Sequence, residues 1–94
     1  MKPKIYIAGP ISSRPTTFKR YFNVMADHLL AADCIPLNPA ILPDGLTDPQ
    51  YMDICFAMIR AADGIHLLEG WEKSKGALAE LAYAEKLGLA IAKD

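Results

Sequence analysis

The chain is poor in cysteine, carries no excess of either charge and contains no long apolar run, and each shortage closes off a class of function. Its two cysteines, Cys34 and Cys55, are too few and too far apart for a disulfide framework or a zinc site. No metal or other cofactor is therefore expected, and both thiols are expected as small interior apolar groups in a reducing compartment. Ten Lys and Arg stand against eleven Asp and Glu, and no basic run occurs. Binding along a nucleic-acid backbone rests on many neutralised phosphates, so nucleic acid is not an expected partner. No apolar segment approaches the roughly 20 residues needed to span a bilayer, so no membrane partner is expected. Met1-Lys2-Pro3-Lys4 leads only into the short run Ile5 to Ala8, unlike a secretory leader. The expected compartment is the cytoplasm.

What remains is the composition of an ordinary globular protein, 52% apolar and 22% charged. Residues 1–94 make one domain's worth of chain. So small a domain leaves much of its surface unburied. A homodimer or higher homo-oligomer is expected to supplement it, with Tyr21, Phe22, Met52 and Phe56 as contact residues.

The pattern alternates short apolar runs with helical spacings. Lys4 to Ala8 reads as a strand closed by Gly9-Pro10. Thr16 to Ala32 spaces Phe18, Tyr21, Phe22, Met25, Leu29 and Leu30 as a helix does. Cys34 to Leu37 is a short strand containing Pro36, and Asn38 to Leu46 is a loop punctuated by Pro39, Pro43 and Gly45. Thr47 with Gln50 forms a capping-box pattern, and Asp48-Pro49 is an alternative start for the same helix, which runs to about Ala62. Gly64 to Leu68 is a third strand, Lys73 to Leu87 a helix stopped by Gly88, and Leu89 to Ala92 a fourth strand. Such alternation predicts an α/β fold: a flavodoxin- or Rossmann-like three-layer sandwich with a four-stranded parallel sheet of order 2-1-3-4. Ligands of such sheets bind beyond the carboxyl ends of the strands. That rim comprises Gly9 to Arg14, Asn38 to Thr47 and Glu69 to Ser74.

Chemistry-bearing residues concentrate on the predicted rim. In the turn Gly9-Pro10-Ile11-Ser12-Ser13-Arg14, the glycine permits close backbone approach, while the Ser hydroxyls and Arg14 suit a phosphate or sugar. A plain turn capping the next helix explains the same residues. Neither the GxGxxG nor the P-loop pattern is present. Asn38 opens the second rim segment as a further candidate contact. Trp71, just after the third strand, offers a flat face to a base. Gly76 removes bulk one turn before Glu80, which falls at the margin of the packing strip Ala77, Leu81, Ala84 and Gly88, where half burial is expected. A surface Glu80 paired with Lys73 or Lys75 is the competing reading. Asp53 and Asp63 are candidates for a second carboxylate, or simply for helix-terminal roles. His66 reads as an interior histidine and His28 as solvated helix surface.

Ile5-Tyr6-Ile7-Ala8-Gly9-Pro10 resembles the opening strand and turn of the nucleoside 2-deoxyribosyltransferase family. Ala62-Asp63 before an apolar strand, followed by Gly76-xxx-Glu80-Leu81-xx-Ala84, resembles that family's catalytic half. Gly70-Trp71-Glu72-x-Ser74-xx-Ala77 is most similar to its short phage and prophage branch, related to the deoxynucleotide N-hydrolases. The resemblance implies cleavage or transfer at the N-glycosidic bond of 2′-deoxynucleosides or deoxynucleoside 5′-monophosphates. Glu80 would carry the sugar as a covalent ester, the two-step logic of a retaining glycosidase. It further implies that Tyr6 and Gly9 line the sugar pocket and that Ser74 contacts a phosphate. The family's second carboxylate lies eight residues before the position of Asp63, where this chain has Cys55, so Asp53 is its nearest substitute. The alternative function is a nucleotide or nucleotide-derivative binding protein that keeps the pocket without the chemistry.

Overall fold

Each apolar run becomes a strand and each amphipathic stretch a helix. In the computed structural model, which describes residues 1–94, the order is β1 (Lys4–Ala8), α1 (Phe18–Ala31), β2 (Ile35–Leu37), α2 (Asp48–Ala61), β3 (Gly64–Leu67), α3 (Lys75–Lys86) and β4 (Ala90–Lys93). Single 3-10 turns occupy Pro39–Ile41 and Trp71–Lys73. All strand pairings are parallel, and the order is β2-β1-β3-β4, as the alternation predicts. Tyr6 lies opposite Ile65, and Ile65 opposite Ile91. Pro36 is tolerated because β2 is an edge strand, where a missing amide donor costs nothing in the ladder.

Alternation along β1 and β3 divides the core between the two faces. Tyr6, Ala8, Ile65 and Leu67 point to one side and pack with Cys55 and Ile59 of α2 and Leu81 and Ala84 of α3. Ile7 and Leu68 point to the other and pack with Phe22 and Ala26 of α1. Each fully buried Ile, Leu or Phe here contributes roughly 1.5–3 kcal/mol. Phe22, an expected subunit contact, is instead a core residue at 1% exposure. Phe56 is half-buried and stacks on Tyr83, with ring centroids 4.7 Å apart and an interplanar angle of 9°. Of the four residues expected at a contact, Tyr21 alone lies in the exposed class.

Local chemistry fixes the helix ends that border the rim. Thr47 Oγ1 accepts from the Gln50 amide at 3.3 Å, and Gln50 Oε1 accepts from the Thr47 amide at 3.0 Å. This reciprocal box starts α2 at Asp48, with Pro49 in the first turn. At the far end, Asp63 accepts from the Lys4 amide at 2.8 Å and pairs with Lys4 Nζ at 3.4 Å. The backbone hydrogen bond, foremost, holds the Asp63 carboxyl below its ordinary range. Asp63 thus joins the end of α2 to the start of β1 and belongs to the opposite end of the sheet from the rim. α3 begins at Lys75 rather than Lys73, because Gly70 adopts φ +91° and the chain makes a separate turn before Ser74 caps the helix. Gly88, at φ +75°, ends it as the sequence pattern predicts. No helix is long and apolar enough to cross a membrane.

Candidate active site

The sites where α2 and α3 begin, the loop after β1 and the segment before α2 enclose a cleft of about 820 Å³. It opens beyond the carboxyl ends of the strands, where ligands of such sheets bind. Gly9, Ile11, Ser12, Ser13, Ser74, Gly76 and Glu80 line it. So do residues not expected at the site, notably Asp48, Tyr51 and Met52, the last of which was expected at a subunit contact.

Glu80 is buried far more deeply than the margin of a helical strip suggests. Its exposure is 6%, on the same face of α3 as Ala77, Leu81 and Ala84. Tyr6 donates its phenolic hydrogen to Glu80 Oε2 at 2.5 Å, and Tyr6 itself is 1% exposed. No Lys or Arg pairs with Glu80, which disposes of the surface ion-pair reading. Burial raises the Glu80 carboxyl to about 7, against the opposing pull of hydrogen bonds from Tyr6 and Cys55. Burial likewise pushes the Tyr6 phenol well above its ordinary value, and the adjacent Glu80 charge adds to it. The Cys55 thiol, 0% exposed, is pushed up to about 12 by burial. Tyr6 and Cys55 therefore keep their protons while Glu80 titrates near neutrality. This is a carboxylate poised for nucleophilic or acid–base work.

The wall opposite is built by one face of α2. At about 100° per residue, Asp48, Tyr51, Met52, Cys55 and Ile59 fall on one side of the helix. Tyr51 donates to the Pro39 carbonyl at 3.2 Å, and burial raises its phenol. Asp53 falls about 140° from Asp48 on the same wheel. It is exposed and does not line the cleft. The capping box explains the difference, since it starts the helix at Asp48 and turns Asp53 outward. A wheel drawn from Thr47 would have found Asp48, Tyr51 and Met52.

Three further expected contacts lie elsewhere. Asn38 is buried, its Nδ2 donating to Asn23 Oδ1 at 2.9 Å and its Oδ1 accepting from the Ala40 amide at 3.0 Å. Its hydrogen-bonding capacity is spent on the fold. Arg14 turns away from the cleft and stacks over the Tyr21 ring at 4.7 Å. Trp71 packs against the core on the α2 and α3 side, with Lys93 Nζ 5.1 Å from its ring centroid, outside the cleft lining.

The two glycines differ in cause. A Cβ on Gly9 would lie 2.9 Å from Leu68 Cβ, so packing by itself requires glycine just after β1. A Cβ on Gly76 would meet nothing closer than Met52 Sδ at 3.9 Å. The space left by its missing side chain faces the cleft. Ser74 Oγ accepts from the Ala77 amide at 3.2 Å as the cap of α3 while facing the same space. Lys73, Lys75, Asp44 and Asp48 line the same cleft, and Asp44 is paired with Lys19.

An α/β domain of this topology, with one glutamate sunk under the strand ends, matches the fold of a deoxyribosyltransferase. A solved structure, the 2-desoxiribosyltransferase from Leishmania mexicana, is similar with a TM-score of 0.77 at 28% sequence identity, over 97% of this chain and 63% of that one. This chain therefore spans less than two thirds of that protein's length. By sequence, the family described as domain of unknown function DUF4406 matches residues 3–93, and the chain belongs to that family. No curated protein sequence matches it.

Proposed function

We propose that the chain is a short, phage- or prophage-type deoxyribosyltransferase-like enzyme, related to the deoxynucleotide N-hydrolases. Its substrates would be 2′-deoxynucleosides or their 5′-monophosphates. The observation that carries this reading is the buried Glu80 carboxylate under the cleft, held by Tyr6 and free of any cation. Ionised Glu80 attacks C1′ as the C1′–N bond breaks, and the bond's electron pair leaves on the base nitrogen, which takes up a proton from solvent. A second base or water then attacks C1′, gives up a proton to solvent and releases the Glu80 carboxylate. Tyr6 holds the attacking oxygen's partner in place. Ser12, Ser13, Ser74, Lys73 and Lys75 provide donors for sugar and phosphate oxygens. Asp48, rather than Asp53, supplies a carboxylate for a sugar hydroxyl. Gly76 leaves room for the sugar beside Glu80.

The likeness to the Leishmania mexicana enzyme supports the substrate class. The test is incubation with deoxynucleosides and deoxynucleoside 5′-monophosphates, with and without a second free base, followed by chromatography of released and exchanged bases. Intact-protein mass should rise by one deoxyribosyl group in wild type and not in Glu80→Gln. Nucleotide binding without release of base by wild type would replace this reading with that of a binding protein.

A further inference from the structure

The sheet order lays the cleft out in a line. Passing from β2 through β1 to β3, the segments that follow the strands and line the cleft are residues 43–46, 9–13 and 73–76. Glu80 lies under the middle of that line, hydrogen-bonded to Tyr6 of β1. The two ends differ in chemistry. Lys73, Ser74 and Lys75 stand at the β3 end. Pro43 and Leu46 stand at the β2 end, together with Phe18 from the start of α1. Helix α1 packs on β2, and Lys19 Nζ pairs with Asp44 Oδ1 at 3.4 Å, which sets Phe18 beside the 43–46 segment. The acidic groups near this end are Asp44, answered by Lys19, and Asp48, assigned above to a sugar hydroxyl.

Phe18 is half-buried, and its ring meets that of Phe22 edge-on, with centroids 5.9 Å apart and an interplanar angle of 87°. Contact with a core residue fixes the plane of the Phe18 ring while part of its surface stays in the cleft. Tyr51 is the other aromatic residue of the lining. Its hydroxyl is spent on the Pro39 carbonyl, and it lies one turn from Cys55, on the Glu80 side. The base and the 5′-oxygen of a deoxynucleotide leave the sugar from different carbons. With C1′ over Glu80, a base directed to the β2 end meets apolar surface, and the 5′-oxygen is directed toward the lysines. Resting on the function proposed above, we propose that Phe18 holds the base, with Pro43 and Leu46 closing the slot from the other side. Trp71, the aromatic residue that the sequence suggests for this role, lies outside the cleft.

The probes are 2′-deoxyadenosine 5′-monophosphate and 2-deoxyribose 5-phosphate, which has a hydroxyl in place of the base. Both are titrated by calorimetry into the full chain carrying Glu80→Gln, which does not consume the nucleotide, with Phe18 kept or changed. Phe18→Ala should weaken nucleotide binding by about tenfold or more, the scale of one lost base–aromatic contact, and leave the sugar phosphate within about twofold. Phe18→Tyr keeps the ring and should bind the nucleotide within about threefold of the parent. The assignment of Phe18 would be overturned, with the proposed function left standing, by an Ala variant that binds the nucleotide undiminished or loses both probes equally. A Tyr variant as weak as the Ala variant would have the same meaning. A parent that binds neither probe, beside a wild type that releases no base, would sink the proposed function and the role of Phe18 with it.

Discussion

Tyr6 on the inner strand β1 and Glu80 on the last helix are 74 residues apart in sequence and 2.5 Å apart at their oxygens. Both are buried, and the phenol donates while the carboxylate accepts. A hydrogen bond to a charged acceptor contributes about 1.5–3 kcal/mol, and here it favours the ionised form of Glu80 against burial. The charge state of Glu80 thus depends on the phenol of Tyr6.

Tyr6→Phe should therefore move the pH dependence of the reaction, beyond lowering its rate. Activity that requires ionised Glu80 rises with pH through about 7 in wild type. Without the phenol, burial acts with less opposition and the midpoint moves up by about one unit or more. A pH profile of kcat/KM for the two proteins reads this directly. An unmoved acid limb with a uniformly lower rate would show that Tyr6 acts through packing alone.

The same burial makes Glu80 costly to the fold. Its carboxyl titrates at about 7 in the native protein, against an ordinary value of 4.5. Between those values the native state binds more protons than the unfolded chain, so stability falls as pH rises across this window. The contribution is full below about pH 4.5 and is lost above about pH 7, a difference on the order of 3 kcal/mol. Glu80→Gln carries no charge to bury. It should be more stable than wild type to urea at pH 8, with the gap closing near pH 4.5. An equal gap at both pH values would contradict the raised carboxyl.

How much of this was legible in sequence divides by range. Strands, helix starts and sheet order follow from local punctuation: Gly9-Pro10, the Thr47–Gln50 box and Gly88 act within a few residues. Glu80 stood out through its spacing from Gly76 and its place beside a packing strip. Its depth did not, because that depends on how closely α2 and β1 approach α3. Asn38 looked like a rim contact until Asn23, on a different element, took its amide. Arg14 and Trp71 were displaced by loop geometry: Gly70 turns with positive φ, and the atoms nearest its missing Cβ are those of Pro10 and Arg14.

Asp48 and Asp53 lie five residues apart on α2 and differ in which way they face. Asp48 lines the cleft; Asp53 is exposed outside it. Asp53→Asn should leave kcat/KM within about twofold, as surface substitutions away from special features usually have small effects. Asp48→Asn should lower it by roughly tenfold or more, the loss of one charge-assisted hydrogen bond to substrate. Steady-state rates for the two variants decide this. The reverse order would return the role to Asp53 and require α2 to be rotated when substrate is bound.

Gly76→Ala separates what the fold wants from what the cleft wants. Glycine inside a helix costs about 0.5–1 kcal/mol relative to alanine. At Gly76 nothing in the protein forbids the extra methyl, since its nearest neighbours would be Met52 Sδ at 3.9 Å and Ser74 Oγ at 4.0 Å. The variant should be the more stable protein, with a midpoint higher by up to about 4–8 °C for a domain of this size. The methyl would stand in the cleft one turn before Glu80, at the proposed sugar position. KM should rise and kcat/KM fall by at least about fivefold, because a crowded site costs about a kilocalorie or more. Thermal unfolding and steady-state kinetics on the same preparation measure both effects. A protein stabilised by Gly76→Ala with undiminished kcat/KM would mean that the substrate does not pass the first turn of α3, and the proposed sugar position beside Glu80 would fail with it.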